Sequence, residues 1–237
     1  MKNVAIITAR GGSKRIPGKN KKVFSGKPIL VYSIEAAIQS GVFEEVMVTT
    51  DDQEIAQIAK AAGAAVPFMR SGATAGDFAT TSEVLAETFE KYREIGKRFA
   101  HACCIYPTAP FVTAKKLKDA MALLEREKAD CVMPVVRFSF PPQRSFVIRD
   151  NSLVYRWPEN RSVRTQDLEP YYHDPGQFYC FRVDSFLQTG QVVEGKVLPI
   201  EVPNTEVQDI DEPSDWVLAE LKYQYMLERQ KKGGGTE

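Results

Sequence analysis

Residues 10–20 read Arg-Gly-Gly-Ser-Lys-Arg-Ile-Pro-Gly-Lys-Asn, and Arg10, Lys14, Arg15 and Lys19 set four cations among three glycines. That mixture suits a polyanion such as a polyphosphate, with side chains supplying charge and backbone N–H groups supplying donors. Gly11 and Gly12 allow positive φ and close approach of the backbone to the anion. Two better-known phosphate loops are excluded by spacing. The Walker loop needs four residues between its glycines and Ser or Thr after its Lys, whereas five residues separate Gly12 from Gly18 and Asn20 follows Lys19. The G-x-G-x-x-G fingerprint is absent, and Pro17 keeps the segment extended where a helix would have to begin. The plain alternative is a solvated basic turn.

Near the other end of the chain, Asp209-Ile210-Asp211 has the pattern of an extended segment. There, alternate side chains share a face, so both carboxylates point one way and Ile210 points into the core. Two carboxylates on one face suit magnesium, which completes its octahedron with water and substrate phosphates. Because Glu212-Pro213 opens a helix, Asp211 as a helix cap is the competing reading. His173 beside Asp174 resembles a hydrolytic dyad in composition only, since adjacent strand residues face opposite sides.

Elements able to hold these residues alternate along the chain. Residues 4–9 form a short, continuous apolar run, as expected of a central strand buried on both faces. A helix is predicted over 28–40 between Pro28 and Gly41, and a strand over 46–50. Asp51 or Asp52 should cap a helix that runs to Ala62 and stops at Gly63. A short strand is predicted over 65–69, then a small, polar loop over 70–81 and a helix over 82–94. Strands over 102–106 and 131–136 flank a helix opened by Thr113 and running to Lys128. This spacing implies right-handed β-α-β units in an α/β fold, a Rossmann-like doubly wound and mainly parallel sheet with its ligand crevice at the carboxyl ends of the strands.

Over 138–174 the alternation gives way to prolines, arginines and aromatics, with only 153–157 legible as a strand, so this stretch is expected to be an inserted arm. Exposure of Phe138, Phe140, Phe146, Tyr155 and Trp157 would fit a contact surface, and a packed surface loop is the alternative. Strands are predicted at 177–181 and 197–202. The final helix is expected to bury Leu218, Leu221 and Tyr225 on one face, and 231–237 is expected to be a disordered tail.

Composition narrows the classes further. A chain of 237 residues with 43% hydrophobic content can bury a full core as one principal domain spanning 1–237. Zero formal charge gives no reason to propose nucleic acid or an anionic membrane as partner. Cys103, Cys104, Cys131 and Cys180 lie in apolar runs without C-x-x-C spacing, the pattern of reduced, buried thiols in a cytoplasmic protein. No apolar segment approaches the length of a membrane span.

The string ARGGSKRIPGKN at 9–20 resembles the signature of the CMP-sialic acid synthetase family, nucleotidyltransferases that join CMP to acidic nine-carbon sugars, and the resemblance spans essentially the whole chain. RTQDLEPYYHDPG at 164–176 resembles the branch that acts on pseudaminic acid. The sialic acid branch usually shows an Asn-Gly-like element where this chain has His173-Asp174-Pro175-Gly176, and several relatives have Gln where Tyr106 stands. Legionaminic and N-acetylneuraminic acids are the alternative sugars.

The resemblance implies a homodimer using CTP and Mg2+, with the arm reaching toward the neighbouring site. It implies nucleotide contacts from Ala9, Arg10, Gly11, Gly12, Ser13, Asn20, Arg70, Asp77, Thr80 and Thr81, and catalytic roles for Arg10, Lys14, Lys19 and Asp211. Asp209 and Asp211 would hold the metal. Tyr106, Arg144, Arg164, Gln166, Asp167, Tyr172, His173 and Asp174 would meet the sugar, with Arg144 and Arg164 as bidentate partners for its carboxylate. No side chain declares itself as general base. A metal-dependent glycosyltransferase and a non-catalytic nucleotide sensor are the readings from other classes.

Overall fold

A computed structural model describes residues 2–76 and 78–233, with the side chains of 232 and 233 excepted. The first strand, β1 (Asn3–Thr8), has its middle four residues buried. A tight hairpin of β2 (Val23–Phe24) and β3 (Lys27–Pro28) leads into helix α1 (Ile29–Ser40), which ends on the left-handed Gly41. Next come β4 (Glu45–Thr49) and α2 (Gln53–Ala61). Of the two possible caps it is Asp52 that accepts the free amides of Glu54 and Ile55.

The strand predicted over 65–69 is reduced to a single bridge between Met47 and Ala65, and Pro67 offers no N–H with which to extend the ladder. The following loop contains a helical turn, α3 (Gly72–Ala75), and delivers Thr80 as cap of α4 (Thr81–Glu94) in a reciprocal capping box with Glu83. The chain continues through β5 (His101–Ile105), α5 (Ala114–Glu127) and β6 (Cys131–Arg137).

In the arm, β7 (Phe146–Arg149) and β8 (Ser152–Tyr155) form a hairpin where the sequence suggested one strand. Its turn is made by Asp150 and Asn151, both left-handed, at φ 48° and 61°. A two-residue strand, β9 (Tyr172–His173), closes the arm against the end of β6. The chain then completes β10 (Phe178–Arg182), α6 (Val183–Thr189), β11 (Val197–Glu201) and α7 (Pro213–Gly233). The disordered tail expected over 231–237 is not found at 231–233, which belong to α7; positions 234–237 lie outside the described residues.

The central sheet has the order β11-β6-β10-β5-β1-β4. All neighbouring pairs along it are parallel except those of β10, which runs antiparallel to both β5 and β6. Alternation along β1 sends Ala5 and Ile7 to the layer of α1, α2 and α5, and Val4 and Ile6 to the layer of α4 and α6. The sheet is therefore covered on both faces, and the carboxyl ends of β1 and β5 open side by side, one strand in from the edge strand β4.

A third cluster sits beyond that end. Phe24, Tyr32, Phe111 and Ile16 pack with Ile210 and with Trp216, Ala219 and Met226 of α7. Phe24 is its hub, with Tyr32, Trp216 and Tyr223 edge-on at ring separations of 5.6, 5.5 and 5.5 Å. This corrects the predicted helix face: Leu218, Leu221 and Tyr225 are exposed in the single chain, and Trp216, Ala219 and Met226 are buried. The preceding loop, anchored through Ile210, rotates the helix away from the phase its own leucines suggest.

Trp216→Ala should accordingly cost about 3–5 kcal/mol in urea unfolding, whereas Leu221→Ser should stay within about 0.5 kcal/mol. The reverse ranking would put the other face of α7 on the core.

Candidate active site

After β1 the Ala9 amide still bonds to the Thr49 carbonyl at 3.1 Å, and then the chain turns out of the sheet. Neither Gly11 nor Gly12 uses the positive φ that glycine allows. Gly11 is required by proximity instead: a Cβ there would lie 2.9 Å from the Cβ and Oδ2 of Asp52. Its amide donates to Asp51 Oδ1 at 2.9 Å, while nothing lies within 4 Å of a Cβ at Gly12. The left-handed glycine of the loop is Gly18, at φ 62°, which starts the turn Lys19–Lys21. Asn20, 6% exposed, closes the loop by donating from Nδ2 to the Arg10 carbonyl at 2.8 Å.

The loop borders a cavity of about 610 Å³ at the carboxyl ends of β1 and β5. Of the predicted nucleotide and catalytic residues, Arg10, Gly12, Ser13, Lys14, Lys19, Asn20, Arg70, Thr81 and Asp211 line it, and Tyr106 does so from the sugar set. Ala9 is fully buried behind the lining. Thr80 does not line it, and its hydroxyl is engaged with Glu83 in the helix cap. Asp77 lies outside the described residues.

Arg70 is 8% exposed and donates to the Thr49 carbonyl at 2.7 Å. Burial lowers its pKa, against the pull of Asp51 and Glu87. A cation held in this way at a cavity wall is oriented for a ligand and is not the surface charge its position after a strand would suggest.

Of the late aspartates, Asp211 lines the far wall, and Asp209, exposed beside it, does not line the cavity. Ile210 is 1% exposed in the aromatic cluster, so its neighbours Asp209 and Asp211 both turn outward. Lys19 Nζ donates to the Ile210 carbonyl at 2.5 Å, and Arg15 reaches Asp211 Oδ1 at 2.8 Å. Asp215, in the first turn of α7, accepts the amides of Asp211 at 3.0 Å and Glu212 at 2.8 Å just before the helix, while the Asp211 carboxylate is engaged by Arg15 and Lys19.

Three further contacts fasten this loop. Gln177 Nε2 donates to the Glu206 carbonyl at 2.8 Å, Lys116 pairs with Glu206 at 2.8 Å, and Lys222 donates to the Val207 carbonyl at 2.7 Å. Sequence reading missed all three, because each acts through a partner distant in the chain.

Lost hydration, and after it the negative charge of Asp211, hold the Asp209 carboxyl above its ordinary range. A divalent cation between them would relieve that repulsion, so the donor set fits magnesium. Among the described residues no group of three or more His, Cys, Asp or Glu forms a closed metal cage. Magnesium does not need one, since one or two carboxylates plus phosphate and water suffice.

The predicted sugar residues divide into two groups. Tyr106 meets Thr81 Oγ1 at 3.2 Å and packs edge-on against Tyr179 at 5.7 Å, and Tyr179 donates to Asp174 Oδ2 at 2.6 Å. These residues wall a smaller cavity of about 220 Å³, completed by Val192 and Val193, that shares Thr81 and Tyr106 with the first. Tyr179, Val192 and Val193 carry no motif, and only the return of β10 beside β5 brings them here.

Asp174 also accepts the Gly176 amide at 2.7 Å. His173 lies against Phe138, at 4.9 Å between rings, so the two residues form no dyad. Arg144 donates to Thr165 at 3.2 Å, and Tyr172 to Glu201 at 3.4 Å. Arg164, Gln166 and Asp167 are exposed on the arm, and none of these five residues lines either cavity of this chain.

Residues 4–196 match the Cytidylyltransferase family. The chain is 37% identical over 224 residues to pseudaminic acid cytidylyltransferase of Campylobacter jejuni subsp. jejuni serotype O:2, covering 94% of this chain and 97% of that protein. It is 30% identical to CMP-N,N'-diacetyllegionaminic acid synthase of Legionella pneumophila, covering 93% and 95% respectively. The fold is also that of CMP:2-keto-3-deoxy-manno-octonic acid synthetase complexed with CTP, with a TM-score of 0.70 at 21% identity over 96% of this chain and 100% of that one.

The raised Asp209 carboxyl has a consequence for stability. Its folded-state pKa lies above the unfolded value, so folding is favoured by its protonated form, and stability is lost as pH rises through that window. Asp209→Asn should therefore raise the melting temperature at pH 7 and lose that advantage below the ordinary carboxylate range. A melting temperature equal to or below wild type at pH 7 would contradict the repulsion between the two aspartates.

Proposed function

The chain belongs to the cytidylyltransferase family, and we propose that it transfers CMP from CTP to the anomeric hydroxyl of pseudaminic acid and releases pyrophosphate. The observation that carries this reading is one cavity with the glycine- and cation-rich loop on one wall and Asp211 on the other. The choice of sugar is supported by similarity to the Campylobacter protein along nearly the full length of both chains.

Arg10, Lys14 and Lys19 bind the triphosphate and offset charge building on the departing pyrophosphate. Asn20, Arg70 and Thr81 recognise cytosine and ribose, for which amide, guanidinium and hydroxyl groups offer suitable donors and acceptors. The sugar lies toward Tyr106, Tyr179 and Asp174, with its 2-hydroxyl in line with the α-phosphorus. A bond forms from that oxygen to the α-phosphorus as the bond to the oxygen bridging the α- and β-phosphates breaks, and the hydroxyl proton passes to solvent water. Holding these atoms in line is the main contribution of the protein. Mg2+ held by Asp209 and Asp211 would supply charge neutralisation at the phosphates and acidify the attacking hydroxyl.

Phe140, Ile148 and Leu153 expose 89%, 76% and 70% of their surface on the arm, which supports burial against a second copy. In such a homodimer, Arg144 and Arg164 meet the sugar carboxylate in the neighbouring site. No described helix is long and apolar enough to cross a membrane, and CTP is a cytoplasmic substrate, so the reaction is assigned to the cytoplasm.

Pyrophosphate release should require CTP, Mg2+ and the free sugar acid together. Turnover should be fastest on pseudaminic acid when that sugar, legionaminic acid and N-acetylneuraminic acid are assayed side by side. Lys19→Ala should lower the rate more than the tenfold that about 1.4 kcal/mol represents. Binding of CTP without turnover on any of the three sugars would favour a nucleotide sensor instead.

A further inference from the structure

In the ligand-free chain the carboxylate assigned to the metal already carries two cations of the protein. Arg15 lies 2.8 Å and Lys19 3.5 Å from the same oxygen, Asp211 Oδ1. Their two unit charges match that of a divalent ion. The two cations are not equally held. Lys19 is 20% exposed and also tied to the Ile210 carbonyl, while Arg15 is 62% exposed at the rim of the cavity. An exposed pair of this kind is worth little and exchanges partners easily. A guanidinium, in turn, binds phosphate oxygens in bidentate fashion, more favourably than a single carboxylate oxygen.

We propose that Arg15 is an exchange residue: it neutralises Asp211 in the free protein and passes to the triphosphate when nucleotide enters, which frees Asp211 for the divalent cation. The inference rests on the assignment of Asp211 to the metal made above. Its consequence is that nucleotide and cation bind synergistically. Without a polyphosphate to receive Arg15, a metal ion must displace a guanidinium to reach Asp211. With one present, the guanidinium has already moved and the phosphates add their own oxygens. Because such coupling is reciprocal, metal must also tighten CTP. Arg15 thus acts on the two ligands with opposite sign, which a residue serving only the stability of the loop cannot do.

The test uses Mn2+ as the probe, counted by the electron paramagnetic resonance of the free ion, with and without CTP, and calorimetry of CTP without metal. In Arg15→Ala, Mn2+ alone should bind about two- to fivefold tighter than to wild type, since a weak competitor is gone. CTP without metal should bind more weakly, and the coupling between the two should shrink. Arg15→Gln should move both in the same directions, and Arg15→Lys should return both toward wild type. Unchanged or weaker Mn2+ binding to the free Arg15→Ala protein, or unchanged affinity for CTP, overturns the exchange. Asp211→Asn separates the two layers: it should abolish the Mn2+ gained with CTP. If that Mn2+ is kept, the metal assignment itself falls and the exchange with it.

Discussion

The site depends on a contact between positions 191 residues apart, the ammonium of Lys19 on the carbonyl of Ile210. Cations gathered on a short loop repel one another, and with no ligand present something negative must lie opposite them. The Asp211 carboxylate and the carbonyl before it supply that charge, so the two walls of the cavity hold each other in place. The aromatic cluster around Phe24 makes the contact possible. It docks α7 onto the turn after the basic loop and buries Ile210, which leaves Asp211 on the cavity wall and Asp209 exposed beside it. Packing sets the distance, and charge fixes the geometry once packing has set it.

Several features of this site work against stability. Arg70 is buried at a cost in hydration, and Asp209 ionises less readily than a free carboxylate because it loses hydration and, after that, because Asp211 is beside it. Both are tolerated because the surrounding scaffold is firm: β1 is covered on both faces, and the loop before α7 is braced from Gln177, Lys116 and Lys222. Strain of this kind collects where a ligand of opposite character would relieve it. A polyanion would relieve the cations, and a divalent ion the aspartates.

The arm stands apart from that economy of charge. Its hairpin turns on two left-handed residues and presents apolar side chains to solvent, while its arginines and Gln166 line neither cavity of their own chain. Tyr106, Tyr179 and Asp174 wall the smaller cavity beside the basic loop, so the residues proposed for the sugar are divided between the sheet side and a projecting element. A division of this kind would let the sheet preserve the chemistry while the projecting element varies the sugar.

Much of this was legible in the chain itself. Apolar run lengths and helix punctuation located the strands and helices, and the spacing of Gly12, Gly18 and Lys19 excluded the commoner phosphate loops, because these signals are local and each follows from backbone sterics or the period of one element. The tertiary structure decided what depends on neighbours distant in sequence. It showed that Gly11 is needed for its closeness to Asp52 and not for its φ, that Asp215 binds the two amides just before α7, and that β10 runs antiparallel and carries Tyr179 to the smaller cavity. It also turned α7 so that Trp216, and not Leu221, meets the core. A residue's type states what contacts it can make. Which of them it makes is settled only when separate stretches of chain compete for the same space, and no periodicity within a single stretch records that outcome.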